Sequence, residues 1–137
     1  MPLQLGPVGH LGISVHDPQK SARWWIKMLN MTRRFSFPGG VVVGNDHVDI
    51  VLHKGKPHPE VLHHISFHVR GMRELRAALV ELQRKHVELE DPGDEIGPEG
   101  PGSKNMGLWF QDPDGYRWEL SVLATRKRKS RAKRKRG

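Results

Sequence analysis

Residues 10–54 and 63–122 spell the same succession of elements twice, and that repeat limits the fold more than any other feature of the chain. In the first half, "HLGISV" alternates, with Leu11, Ile13 and Val15 on one face of a strand and His10, Gly12 and Ser14 on the other. "HDP" follows, with Asp17 placed to cap a helix and Pro18 to open it. The helix "QKSARWWIKML" sets Ala22, Trp25, Ile26 and Leu29 on one apolar stripe, flanked by Trp24 and Met28. Helix-to-sheet packing accounts for the two tryptophans. Three short extended segments close the half, "RRFSF" before "PGG", "VVV" before "GND", and "HVDIVL" before "HKGKPHPE".

The second half repeats the order. "HHISFHV" reads as a strand and "RELRAALVELQRK" as a helix with Leu75, Leu79 and Leu82 on one side. "HVELE" is another strand, and "GLWFQ", "DPDG" and "YRWELSV" form a hairpin through a turn. The Gly- and Pro-rich stretch Asp91 to Asn105 reads as a long loop suited to a lid beside a site. Two βαβββ modules, about residues 8–54 and 62–123, are expected within a single α+β domain spanning residues 1–125.

Strand alternation sorts the polar side chains. Ile65, Phe67 and Val69 form the apolar set of their strand and claim the helix side, so His64, Ser66 and His68 face away, and His63 falls at the strand's start. The same parity leaves Asp49, Val51 and His53, then Gly107, Trp109 and Gln111, then Arg117, Glu119 and Ser121 on the face opposite the core. That face collects His10, Asp49, His53, His64, His68, Arg117 and Glu119. Both a metal-binding surface and a plain solvated face account for it.

Composition narrows the chemistry. The 137 residues include no cysteine, so disulfides and thiolate metal sites are excluded, and His, Asp and Glu are the strong metal ligands left. No apolar run approaches the roughly 20 residues of a membrane helix, and the first residues lack the pattern of a signal peptide. A cytoplasmic protein is expected. The net charge of +8 is a property of the tail: "RKRKSRAKRKRG", residues 126–137, holds nine of the 23 Lys and Arg, leaving 14 basic against 15 acidic residues in the body. Such a block repels itself and is expected to be disordered; weak binding to nucleic acid or an acidic surface is the alternative to a merely solubilising role.

The order of "GHLGISVHDPQKSARWW", "HVDIVLHKG", "HHISFHV" and "FQDPDGYRWELSV" resembles the vicinal oxygen chelate superfamily of glyoxalases, bleomycin resistance proteins and extradiol dioxygenases. The resemblance runs from Val8 to about Val122 and is most specific at Asp112-Pro113-Asp114-Gly115, followed by Glu119. It implies a curved mixed-sheet cup with helices on the outer face and one divalent ion, Fe, Mn, Zn, Ni or Co, held by His10, His64 and Glu119. His63 then falls outside the ligand set. Asp49 matches a fourth ligand position or a general base, and His53 and His68 line the cup as proton-transfer candidates. Glu119 itself is a candidate base.

The implied activity is chelation of vicinal oxygens of a small substrate by the metal, in a lyase, an isomerase or a ring-cleaving oxygenase. Trp109, Arg117 and Ser66 are the expected substrate contacts, Trp109 offering a flat face and Arg117 a partner for a carboxylate or phosphate. Trp109 occupies the place of the tyrosine of the extradiol branch and has no phenolic proton to give. A homodimer is implied, as in many relatives of this size. The alternative class is a metal-free small-molecule binder of the bleomycin-resistance type.

Overall fold

The structure, a computed structural model, describes residues 2–91, 93 and 95–122. The basic segment 126–137 lies outside the described residues, as do Pro92 and Asp94 of the long loop. The chain divides at His58/Pro59 into two compact units, one for each module of the repeat.

The first unit carries β1 (His10–Val15), α1 (Pro18–Leu29), β2 (Thr32–Phe37), β3 (Gly40–Gly44) and β4 (Asp49–Lys54) in a four-stranded sheet ordered β1-β4-β3-β2. β1 and β4 are parallel and the other pairs antiparallel. Helix α1 starts where Asp17 caps it: Oδ1 accepts hydrogen bonds from the backbone N–H of Gln19 and Lys20, at 3.1 and 3.2 Å, and Pro18 takes the first helical position. Its C-terminus turns on Asn30 in the left-handed conformation at φ 55°. Ala22 and Trp25 are fully buried on its inner stripe, facing Val41, Val43, Ile50 and Leu52, which are the apolar side of β3 and β4. Trp24 meets Trp25 edge-on at 5.2 Å, so the tryptophan pair is packing material, as its stripe position indicates.

The second unit carries β5 (Ile65–His68), α2 (Met72–Arg84), β6 (Glu88–Leu89), β7 (Gly97–Pro98), β8 (Met106–Gln111) and β9 (Arg117–Val122). Its sheet runs β5-β9-β8-β6, with β7 also pairing to β8. β5 and β9 are parallel, repeating the β1–β4 relationship. Leu75 and Leu82 of α2, with Leu108, Phe110 and Trp118 of the sheet, form a fully enclosed core, and Phe67 stacks on Trp118 at 5.8 Å.

Both units are mixed sheets with one helix each, the α+β class read from the sequence. Two boundaries differ. β5 begins at Ile65, so His63 and His64 precede the strand, and β6 is only two residues long. The long loop also contributes β7, because Gly97 and Pro98 find partners in Gly107 and Met106. Among the described residues, no helix is long and apolar enough to cross a membrane.

Candidate metal and substrate site

The turn at residues 112–115 sets the register of everything around Glu119. The backbone N–H of Gly115 donates to the Asp112 carbonyl at 3.0 Å, and Gly115 adopts φ 88°, a conformation that favours glycine. The buried Asp112 carboxylate then ties the hairpin together. Oδ1 accepts from the backbone N–H of Asp114 and Tyr116, at 2.9 and 3.0 Å, and Oδ2 accepts from the Trp118 indole at 3.0 Å. Burial pushes the Asp112 carboxyl up to about 6 against the downward pull of these three bonds. With Trp118 fixed inward, alternation turns Glu119 to the other face.

Glu119 is 1% exposed, and neither carboxylate oxygen makes a hydrogen bond. Burial raises its pKa; the Ser66 hydroxyl opposes this, the charge of Glu99 adds to it, and Arg117 opposes it. The carboxylate lies over Gly107. A Cβ there would collide with Oε2, and would sit 3.2 Å from both the Glu119 Cδ and the Leu120 carbonyl oxygen. Glycine at 107 is therefore what makes room for the acid.

His64 faces this carboxylate, its Nε2 at 3.7 Å from Glu119 Oε1. Burial, Arg117 and His63 lower the His64 pKa and favour the neutral imidazole, the form that binds a metal. Ser66 stands opposite Glu119 in the strand register, and its hydroxyl hydrogen-bonds that of Ser121 at 2.7 Å. Beside them, the Arg117 guanidinium lies 5.5 Å over the Trp109 ring, and its Nε donates to both oxygens of Glu90 at 2.7 and 2.8 Å. His68 is opposite Ser121, two residues further along β5 and exposed.

In the first unit, His10 is opposite Asp49 on the parallel pair β1–β4. The Asp49 carboxylate is held by Arg34, Nε to Oδ1 at 3.2 Å, and rests against Gly44. His53 is exposed and meets the Phe37 ring edge-on at 5.7 Å. Counting from His10 in the first module and His64 in the second locates the corresponding acid position. Two residues after His64, Ser66 is opposite Glu119; two residues after His10, Gly12 is opposite Val51. Val51, not Asp49, thus occupies the place in the first module that Glu119 occupies in the second.

The second unit therefore brings together His64 and Glu119, with Ser66, Arg117 and Trp109 around them. Among the described residues, no group of three His, Asp or Glu side chains is assembled as a metal site. The pair itself fits a divalent ion. Nitrogen and carboxylate donors at about 2.1 Å from one tetrahedral ion stand roughly 3.4 Å apart. The observed 3.7 Å is near that spacing and too long for a hydrogen bond. A buried carboxylate with no hydrogen bond is costly unless a cation compensates it.

Two participants were not legible as site residues. Glu99 belongs to the loop, where its backbone N–H donates to the Asn105 carbonyl at 2.9 Å. Its Oε1 is buried without a hydrogen-bond partner, and its charge acts on both His64 and Glu119. His63 hydrogen-bonds His64, Nδ1 to Nδ1 at 2.7 Å. The resemblance left it outside the ligand set, and because it precedes the strand, alternation does not govern where its ring goes.

Sequence and fold comparisons identify the family and the fold. The profile of the Glyoxalase/Bleomycin resistance protein/Dioxygenase superfamily matches residues 8–120, and the chain belongs to that superfamily. No curated protein matches it by sequence. Among solved structures, it is similar to an integron cassette protein from the mobile metagenome of V. cholerae, with 20% identity, 90% of this chain and 100% of that chain covered, and a TM-score of 0.69. It is also similar to the fosfomycin resistance protein FosX from Listeria monocytogenes, with 17% identity, 91% and 99% covered, and a TM-score of 0.71. Lactoylglutathione lyase from Agrobacterium tumefaciens is similar at 11% identity, 86% and 94% covered, and a TM-score of 0.68. At these identities the likeness shows the fold.

Proposed function

We propose that the protein is a divalent-metal-dependent enzyme acting on a small substrate with two adjacent oxygens, with His64, Glu119 and His10 as the protein ligands. The observation that carries this reading is Glu119, a buried carboxylate without a hydrogen bond, facing the Nε2 of His64 at 3.7 Å. Two histidines and one carboxylate suit Fe, Mn, Zn, Ni or Co. When bound, the ion stabilises negative charge developing on the substrate oxygens.

The protein's own groups would do the rest. Arg117, kept in place by Glu90 and the Trp109 face, presents positive charge to an anionic substrate group. Trp109 and Ser66 bound the substrate space. Asp49, His53 and His68 are the proton-carrying groups that the family resemblance adds as candidates.

Metal content of the purified protein, with titration of Mn(II) and Zn(II) into the wild type, Glu119→Ala and His64→Ala, tests the reading. One ion per site in the wild type and weakened binding in both variants is the expected result. Absence of stoichiometric metal would leave a metal-free binding protein of the same superfamily. With metal bound, oxygen uptake on catechols, isomerisation of a glutathione hemithioacetal and thiol transfer to fosfomycin separate the reaction branches.

A further inference from the structure

The contact between His63 and His64 has a chemical consequence for the site. The two Nδ1 atoms are 2.7 Å apart, with the rings 4.9 Å centre to centre and inclined at 65°. Two ring nitrogens at that distance share one proton, so one ring donates and the other accepts. The direction of that bond fixes which nitrogen of His64 carries hydrogen, and hence whether its Nε2 presents a lone pair.

The surroundings of Nε2 choose the direction. If His63 donated, His64 would carry its proton on Nε2, facing a buried carboxylate that makes no hydrogen bond. A charge-assisted N–H···O bond closes to about 2.8 Å. At the observed 3.7 Å no such bond is made, so the carboxylate does not hold a proton on Nε2, and the gap matches the spacing of two donors about one ion, which needs the Nε2 lone pair.

We propose that His63 is a positioning residue that accepts the Nδ1–H of His64, locking His64 in the tautomer whose Nε2 lone pair faces Glu119. Histidines that bind metals commonly donate their second nitrogen to a carboxylate, a carbonyl or water. Here the neighbouring histidine takes that part. This is possible because both residues lie ahead of Ile65, outside the pleat that would send consecutive side chains to opposite faces. The bond also restricts the ring orientation of His64, which is otherwise partly exposed.

The inference rests on the metal reading for its use, but its test does not. Two-bond ¹H–¹⁵N correlation spectra of the metal-free protein, at a fixed pH where both rings are neutral, report the tautomer of each histidine. In the wild type, His64 is expected as the Nδ1–H form. His63→Phe, which keeps the ring shape and removes the acceptor, should give a mixture of His64 tautomers and bind Zn(II) about tenfold more weakly. His63→Gln, whose amide oxygen can accept the same proton, should restore both. Finding His64 as the Nε2–H form in the wild type overturns the proposal, as does a His63→Phe spectrum unchanged at His64. If the wild type binds no Zn(II), the proposed function falls, and the spectra still decide the part played by His63.

Discussion

Glu119 is the most deeply buried carboxylate of the sheet, and the Nε2 of His64 stands 3.7 Å from its Oε1 with no hydrogen bond to relieve it. An arrangement of this kind costs stability in the metal-free chain, and a bound cation would offset that cost.

Glu119→Gln should therefore stabilise the metal-free protein at neutral pH, by about 1 kcal/mol, because it removes a buried charge without changing shape. Thermal unfolding with and without millimolar Mn(II) checks this. The wild type should gain Tm on adding metal and the variant should not. A variant less stable than the metal-free wild type would show that the carboxylate is compensated by something else.

Gly107→Ala places a methyl group where the Glu119 carboxylate lies. The Leu120 carbonyl oxygen would stand only 3.2 Å from that methyl, and the Glu119 carboxylate, the end of a flexible side chain, must move. We expect a loss of about 1–3 kcal/mol in urea unfolding and loss of tight Zn(II) binding in the same variant. Calorimetry showing unchanged affinity would separate Glu119 from the metal.

Asp112 gives a pH dependence whose sign follows from burial. Its folded pKa, about 6, lies above the ordinary 3.8, so the folded state binds a proton more tightly than the unfolded one. The resulting stabilisation is complete below pH about 4 and lost as pH rises through 6, amounting to about 3 kcal/mol. Asp112→Asn cannot titrate. Urea unfolding of both proteins from pH 4 to 7 should show the wild type losing stability relative to the variant over that window. Parallel curves would refute the assignment.

Glu99 contributes negative charge that raises the pKa of both His64 and Glu119. Glu99→Gln should lower both in the metal-free protein, read by ¹H–¹⁵N and ¹³C titration of the imidazole and carboxylate. If neither moves, the loop carboxylate acts elsewhere.

Local rules carried much of the fold. Asp17 and Pro18 opened α1 because capping and a fixed proline φ are properties of neighbouring residues. Leu108, Phe110 and Trp118 went inward, and Trp109, Arg117 and Glu119 to the opposite face, because a strand alternates whatever surrounds it. Asp112-Pro113-Asp114-Gly115 announced a turn through its glycine, but not that Asp112 would be buried beneath Trp118. That required the hairpin to be folded.

The sequence by itself determined the repeated element order, the α+β class, the superfamily and the sheet face on which Glu119 lies, since periodicity and turn chemistry are local. Tertiary structure decided the rest: that Val51 corresponds to Glu119, that Arg34 claims Asp49, that Gly107 makes room for an acid, and that His63 reaches His64. Strand register and the exact start of β5 depend on which residues pair across the sheet. No single strand contains that information, because the parallel pairings β1–β4 and β5–β9 join residues tens of positions apart.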